Sequence, residues 1–75
     1  MRYSYNKLKG KIVEVCGSRR NFAKSIGISD VALSAKLNGE RYFRLQEIEK
    51  AIEVLGIDRS QVPEYFLTPE VDDEH

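Results

Sequence analysis

Apolar positions in this chain recur with helical spacing. Tyr5, Leu8, Ile12 and Val15 fall at i, i+3, i+7 and i+10, and Val13 and Cys16 widen the stripe. That pattern predicts a first helix, capped by Ser4 or Asn6 and stopped by Gly17. Gly10, inside it, is expected to mark a close-packing point, since glycine there costs about 1 kcal/mol relative to alanine. Phe22, Ala23 and Ile26 predict a second helix over Arg19–Ile26, capped by Ser18 and left through Gly27. Leu33 and Leu37 predict a third over Asp30–Leu37, with Ser29 as cap and Asn38-Gly39 as stop. Leu45, Ile48, Ile52 and Leu55 repeat the first spacing, with Ala51 beside them, and define a fourth helix ended by Gly56. A short last helix starts from Asp58 or Ser60. Pro63 belongs in its first turn, which favours Ser60 as the cap. Ile57, Val62, Tyr65, Phe66 and Leu67 form its apolar cluster. The fold expected is all-α, a compact bundle of about five short helices.

Two small residues shape the middle of the chain. Ala23 lies four positions before Gly27, and Ser29-Asp30 opens a helix two positions after it. A glycine leaves the second helix through a left-handed turn without a Cβ penalty. An alanine one turn earlier lets the third helix cross closely, and Ile28, Leu33 and Leu37 lock the crossing. This is the layout of a helix-turn-helix in helices two and three. The run FAKSIGIS-x3-LS-x2-LNG, the opening N-K-L-x-G-K-I-V-E, the later R-x-x-x-Q-E-I-E-x-x-x-x-x-L-G-I and the closing E-Y-F resemble the phage repressor/Cro family of lambda-repressor-like DNA-binding domains. The resemblance spans roughly residues 5–67. It implies a small single-domain regulator of phage or prophage origin that works in a bacterial cytoplasm.

Composition narrows the classes. Seventy-five residues make one domain, here expected over 1–69, followed by an acidic, disordered tail at 70–75. Met1–Ser4 form a short lead. One cysteine allows no internal disulfide, and Cys16 with His75 makes no metal cluster. Cys16 is expected to be a small buried hydrophobe. No segment is apolar enough to be a leader or to span a membrane. No nucleophile–base pair, phosphate loop or histidine-lined constellation occurs, so neither an enzyme nor a cofactor is expected. The acids of helix four, Glu47, Glu49 and Glu53, read as a solvated face.

The zero net charge conceals an asymmetry. Residues 1–46 carry ten Lys/Arg against three acids, and residues 47–75 carry two against nine. The basic half contains the helix-turn-helix, where phosphates would be met. Helix two is expected to bring Arg19, Asn21 and Lys24 toward the backbone of double-stranded DNA. The family's base-reading positions correspond to Ser29, Asp30, Val31, Ser34, Ala35 and Lys36, followed by Asn38. Lys36 and Arg41 are also expected to meet phosphates, Arg41 alternatively a minor-groove edge. Asp30, Val31, Ser34 and Ala35 are unusual for base reading, which favours Gln, Asn, Lys or Arg. Val31 and Ala35 could still pack on thymine methyls, Ser34 could hydrogen-bond either way, and Asp30 could accept from a cytosine amino group. Asp30 has a plainer use as the acid of a helix's first turn. Tyr42 and Phe43 are expected to plug the core rather than stack on bases. Surplus apolar surface at Tyr65, Phe66 and Leu67 is expected to join two copies, as an operator-reading homodimer requires.

Two functions are therefore in competition, the first of them the leading reading and the second its alternative. One is a sequence-specific transcriptional regulator that represses by operator occupancy as a dimer. The other is a protein-interaction adaptor on the same fold, binding through acidic helix four and the Tyr65–Leu67 end.

Overall fold

Side-chain caps and glycines set several of the helix ends. The computed structural model describes residues 3–69. Arg2 and the acidic run at 70–75, including the expected tail boundary and His75, lie outside the described residues. The described chain forms α1 (Asn6–Cys16), α2 (Arg19–Ile26), α3 (Asp30–Leu37), α4 (Leu45–Leu55), a 3-10 turn (Arg59–Gln61) and α5 (Val62–Phe66). Its one sheet-like feature is an isolated antiparallel bridge between Tyr3 and Pro69. There the Ser4 N–H donates to the Thr68 carbonyl at 2.7 Å, so the lead is tied to the end of α5.

Ser18 and Ser29 cap α2 and α3 as their positions predict. The Ser18 hydroxyl accepts from the Asn21 N–H at 3.1 Å, and that of Ser29 from the Ala32 N–H at 3.0 Å. Gly27 leaves α2 with φ +81°, in the left-handed region, and sends the Ile28 N–H back to the Ala23 carbonyl at 3.0 Å. The α2–turn–α3 unit follows from these three residues.

Other local expectations shift. Neither Ser4 nor Asn6 caps α1, whose N-cap is Tyr5 with no side-chain bond. At the last helix Asp58, not Ser60, is the cap, and it heads the 3-10 turn rather than α5 itself. Its carboxylate accepts from both the N–H and the hydroxyl of Ser60, which holds its pKa below the ordinary carboxylate value. Pro63 sits in the first turn of α5 as expected.

The core joins all five helices. Phe22, Phe66, Leu8, Ile12 and Leu33 are its largest fully buried side chains, and Tyr5, Ala23, Ile26, Leu37, Ala51, Ile52, Leu55 and Tyr65 complete it. Tyr5, Phe43 and Phe66 pack edge-to-face in a chain, with ring centroids 5.5 and 5.2 Å apart. Burial also raises the Tyr5 phenol's pKa, with Tyr3 and Tyr42 adding to the effect. Phe43 is thus the plug its position predicts, but Tyr42 is not: its ring is 70% exposed. Leu45 departs from its stripe too. As the first residue of α4 it precedes the turns that meet the core, and it is 69% exposed. Gly10 packs against nothing, since a Cβ built there meets no atom within 4 Å.

Charge separated along the sequence is partly recombined in space. Lys7 pairs with Glu64 and Lys36 with Glu47, each joining the basic half to the acidic half.

Candidate functional site: the outer face of α3

The helix-turn-helix presents α3 outward, and its exposed face begins at its cap. Ser29, the N-cap, uses its hydroxyl internally. Asp30 follows, and the Arg20 guanidinium reaches it from α2 at 3.3 Å, both side chains being substantially exposed. In such a solvated pair the attraction is modest, at most about 1 kcal/mol. Val31 is 79% exposed and makes the crest of the face. Ser34 and Ala35 sit half-buried one turn on. Together with Asn38 and Glu40, these residues line a shallow trough along α3. No lysine or arginine lines it. Glu40 is an addition to the expected set, placed there by the turn after α3, where its N–H bonds the Ala35 carbonyl at 2.9 Å.

Lys36 corrects an expectation. It does not reach out to a phosphate; it is 5% exposed and points inward. Its ammonium meets Glu47 Oε1 at 3.2 Å and donates to the Tyr42 carbonyl at 3.2 Å, with the Phe43 ring 6.0 Å away. The Glu47 carboxylate also accepts the Arg44 N–H at 2.9 Å, at the start of α4. One buried charge pair therefore ties α3, the loop after it and α4 together. Helical spacing contains the signal: Leu33, Lys36 and Leu37 are i, i+3 and i+4, one face.

The other expected contacts divide. Arg19, Lys24 and Arg41 are exposed cations around the motif. The Asn21 side-chain amide donates to the Cys16 carbonyl at 2.9 Å and so joins α2 to the end of α1. Asn38 is the C-cap of α3. At the other end of the molecule, the expected dimer contact is corrected in the same way. Tyr65 and Phe66 are 7% and 2% exposed and belong to the monomer's core. Of the three residues only Leu67 offers surface. Their dense spacing signals core closure, because a five-residue helix has no second face to spare.

Among the described residues, no group of His, Cys, Asp and Glu could hold a metal ion, and no helix is long and apolar enough to cross a membrane. Cys16 is a half-buried free thiol.

The fold is a five-helix domain with a helix-turn-helix, and no lysine or arginine lines the outer trough of its third helix. Residues 1–69 match the family described as protein of unknown function (DUF739), and the chain belongs to that family. A solved structure similar to it is the solution structure of the modulator of repression (MOR) of the temperate bacteriophage TP901-1 from Lactococcus lactis. The two chains are 40% identical, with a TM-score of 0.77, over 96% of this chain and 97% of that one. No curated protein matches this chain.

Proposed function

We propose that this chain is a phage regulatory protein that modulates repression by binding a repressor protein, with the outer face of α3 as its contact surface. It is a binding protein rather than an enzyme. The observation that carries the reading is the character of that face. A helix that reads the major groove needs side chains that reach base edges, most often Arg, Lys, Asn or Gln. Here Asp30, Val31, Ser34, Ala35, Asn38 and Glu40 line the trough, Asn38 being the one side chain of the base-reading types among them, and Lys36 is turned into the core. Two carboxylates would meet the negative potential of the groove, whereas an exposed valine between them suits an apolar centre with a charged rim. Such a face fits a partner that presents apolar and basic residues. The similarity to a protein named a modulator of repression supports the same reading.

The competing reading is the operator-binding dimer. Exposed Arg19, Lys24 and Arg41 favour it, since cations around a helix-turn-helix can hold phosphates. With Tyr65 and Phe66 internal, however, its dimer contact is reduced to Leu67.

Fluorescence anisotropy separates the readings. Labelled duplex from the DNA flanking the chain's own gene is titrated with the protein at several salt concentrations, alone and with a phage repressor protein. The proposal predicts no sequence preference by the chain alone and a changed repressor–DNA titration when both proteins are present. Tight, sequence-selective binding by the chain alone, steeply weakened by salt, would establish the operator-binding dimer instead.

A further inference from the structure

A second exposed patch follows the trough residue Glu40 in the chain and has the opposite charge. Tyr42, Leu45 and Leu67 are 70%, 69% and 45% exposed. Tyr42 and Leu67 border one small cleft with Tyr3 and Ile48, and Leu45 lies three residues before Ile48 on the same helical face. Arg41 and Arg44 bracket Tyr42 in the chain. Both are exposed, and among the described residues neither meets a carboxylate.

The patch is also held in place. The Tyr42 carbonyl accepts from buried Lys36 at 3.2 Å, and its ring meets Tyr3 edge-on at 6.4 Å. Phe43 alone fills the core below, so the Tyr42 ring contributes little to the fold. A fixed aromatic loses little freedom on binding. Tyrosine and arginine are the side chains that most often anchor protein interfaces.

We infer that this patch is a second docking surface, for an acidic amphipathic segment of a partner protein. Aliphatic side chains of the segment cover Leu45, Leu67 and the Tyr42 ring, and its carboxylates pair with the guanidinium forks of Arg41 and Arg44. Charge complementarity sets the sign of the partner. The aliphatic pair sets its class, because a single-strand nucleic-acid groove needs a longer track of cations and stacking rings. The inference goes beyond the proposed function and does not depend on it: a protein with one acidic-apolar face and one basic-apolar face can hold two partners at once.

The test is an NMR titration of the full chain. The probe is a synthetic amphipathic helix with leucines on one face and glutamates on the other, compared with its lysine counterpart and a single-stranded oligonucleotide. Saturable shifts are expected around Tyr42, Leu45 and Leu67 with the glutamate peptide only, weakening as salt rises. The double variant R41E/R44E should bind the glutamate peptide at least about tenfold more weakly and gain affinity for the lysine peptide. Tyr42→Ser should also weaken binding while unchanged amide dispersion reports an intact fold. Val31→Glu on α3 should leave this binding unchanged, which separates it from the proposed function. The inference is overturned by absence of saturable binding, by shifts confined to other faces, or by equal binding of both peptides. Preference for the oligonucleotide would overturn it as well, and so would concentration-dependent self-association through the patch without peptide.

Discussion

Lys36 shows how much depends on where one side chain turns. On the outer face of α3 it would be a phosphate contact; on the inner face, with Glu47 and the Tyr42 carbonyl at 3.2 Å, it is a structural tie. Removing one member of a buried pair leaves the other charge uncompensated, typically at a cost of about 3–5 kcal/mol. Lys36→Ala should therefore destabilise the domain by about 3 kcal/mol in urea unfolding, while Lys24→Ala, on an exposed cation, should change stability little. The double replacement K36M/E47L should recover part of the loss, because apolar isosteres need no partner. If Lys36→Ala were as silent as Lys24→Ala, the tie would not exist. Asp58 gives a residue-scale dependence on pH. Hydrogen bonds from Ser60 hold its folded pKa below the ordinary 3.8, so the folded state releases this proton more readily than the unfolded chain. The stability it contributes is present above pH 3.8 and is lost as pH falls through the folded value. Asp58→Asn should flatten that acid limb in a series of thermal melts, and an unchanged limb would contradict the cap.

At the scale of elements, two glycines of similar appearance in the sequence have opposite roles. Gly27 sits at φ +81° between α2 and α3, a conformation that costs an L-residue about 1–2 kcal/mol. Gly10 lies within α1 with no atom within 4 Å of a Cβ. Gly27→Ala should lower stability by about 1–2 kcal/mol, and Gly10→Ala should raise it by up to about 1 kcal/mol. Chemical denaturation of the two variants reads both signs, and a loss at Gly10 would mean that something packs on α1 there. Legibility in the sequence followed the same division. Caps and stops that depend on one residue, such as Ser18, Ser29 and Gly27, were readable, as were the helices themselves, because 3.6-residue periodicity is a local property. The exposure of Leu45 and the openness of Gly10 were not readable, since both depend on how far α1 and α4 extend beyond their neighbours. The inward turn of Lys36 was readable in principle. Its spacing from Leu33 places it on the core face, but its charge argued for solvent, and only a partner on another helix, Glu47, lets spacing prevail.

For the whole molecule, the separation of charge along the chain proved a weak guide to the surface. Lys7–Glu64 and Lys36–Glu47 join the two halves, so the excess of cations in residues 1–46 does not all face one way. The residue types of the candidate face were legible in the sequence, since Asp30, Val31, Ser34 and Ala35 include none of the long bidentate side chains that most often read bases. What the sequence pattern did not contain was the partner. A helix-turn-helix carries its fold in its turn and its core, and its function in the side chains of one helical face. The fold by itself therefore does not say which partner that face meets. Tyr65 and Phe66 make the same point from the other end, because their place in the core removes two of the three residues on which an operator-reading dimer would rest.

Calorimetric titration of the chain against a phage repressor protein, with Val31→Glu as the paired variant, tests the central claim most directly. Val31 is 79% exposed at the crest of α3, so the substitution leaves the core intact, and matching thermal melts would verify that. The prediction is a saturable complex for the native chain and at least about tenfold weaker binding, about 1.4 kcal/mol, for the variant. A native chain that ignores the repressor, or a variant that binds it equally well, would contradict the assignment of α3's outer face to a protein partner.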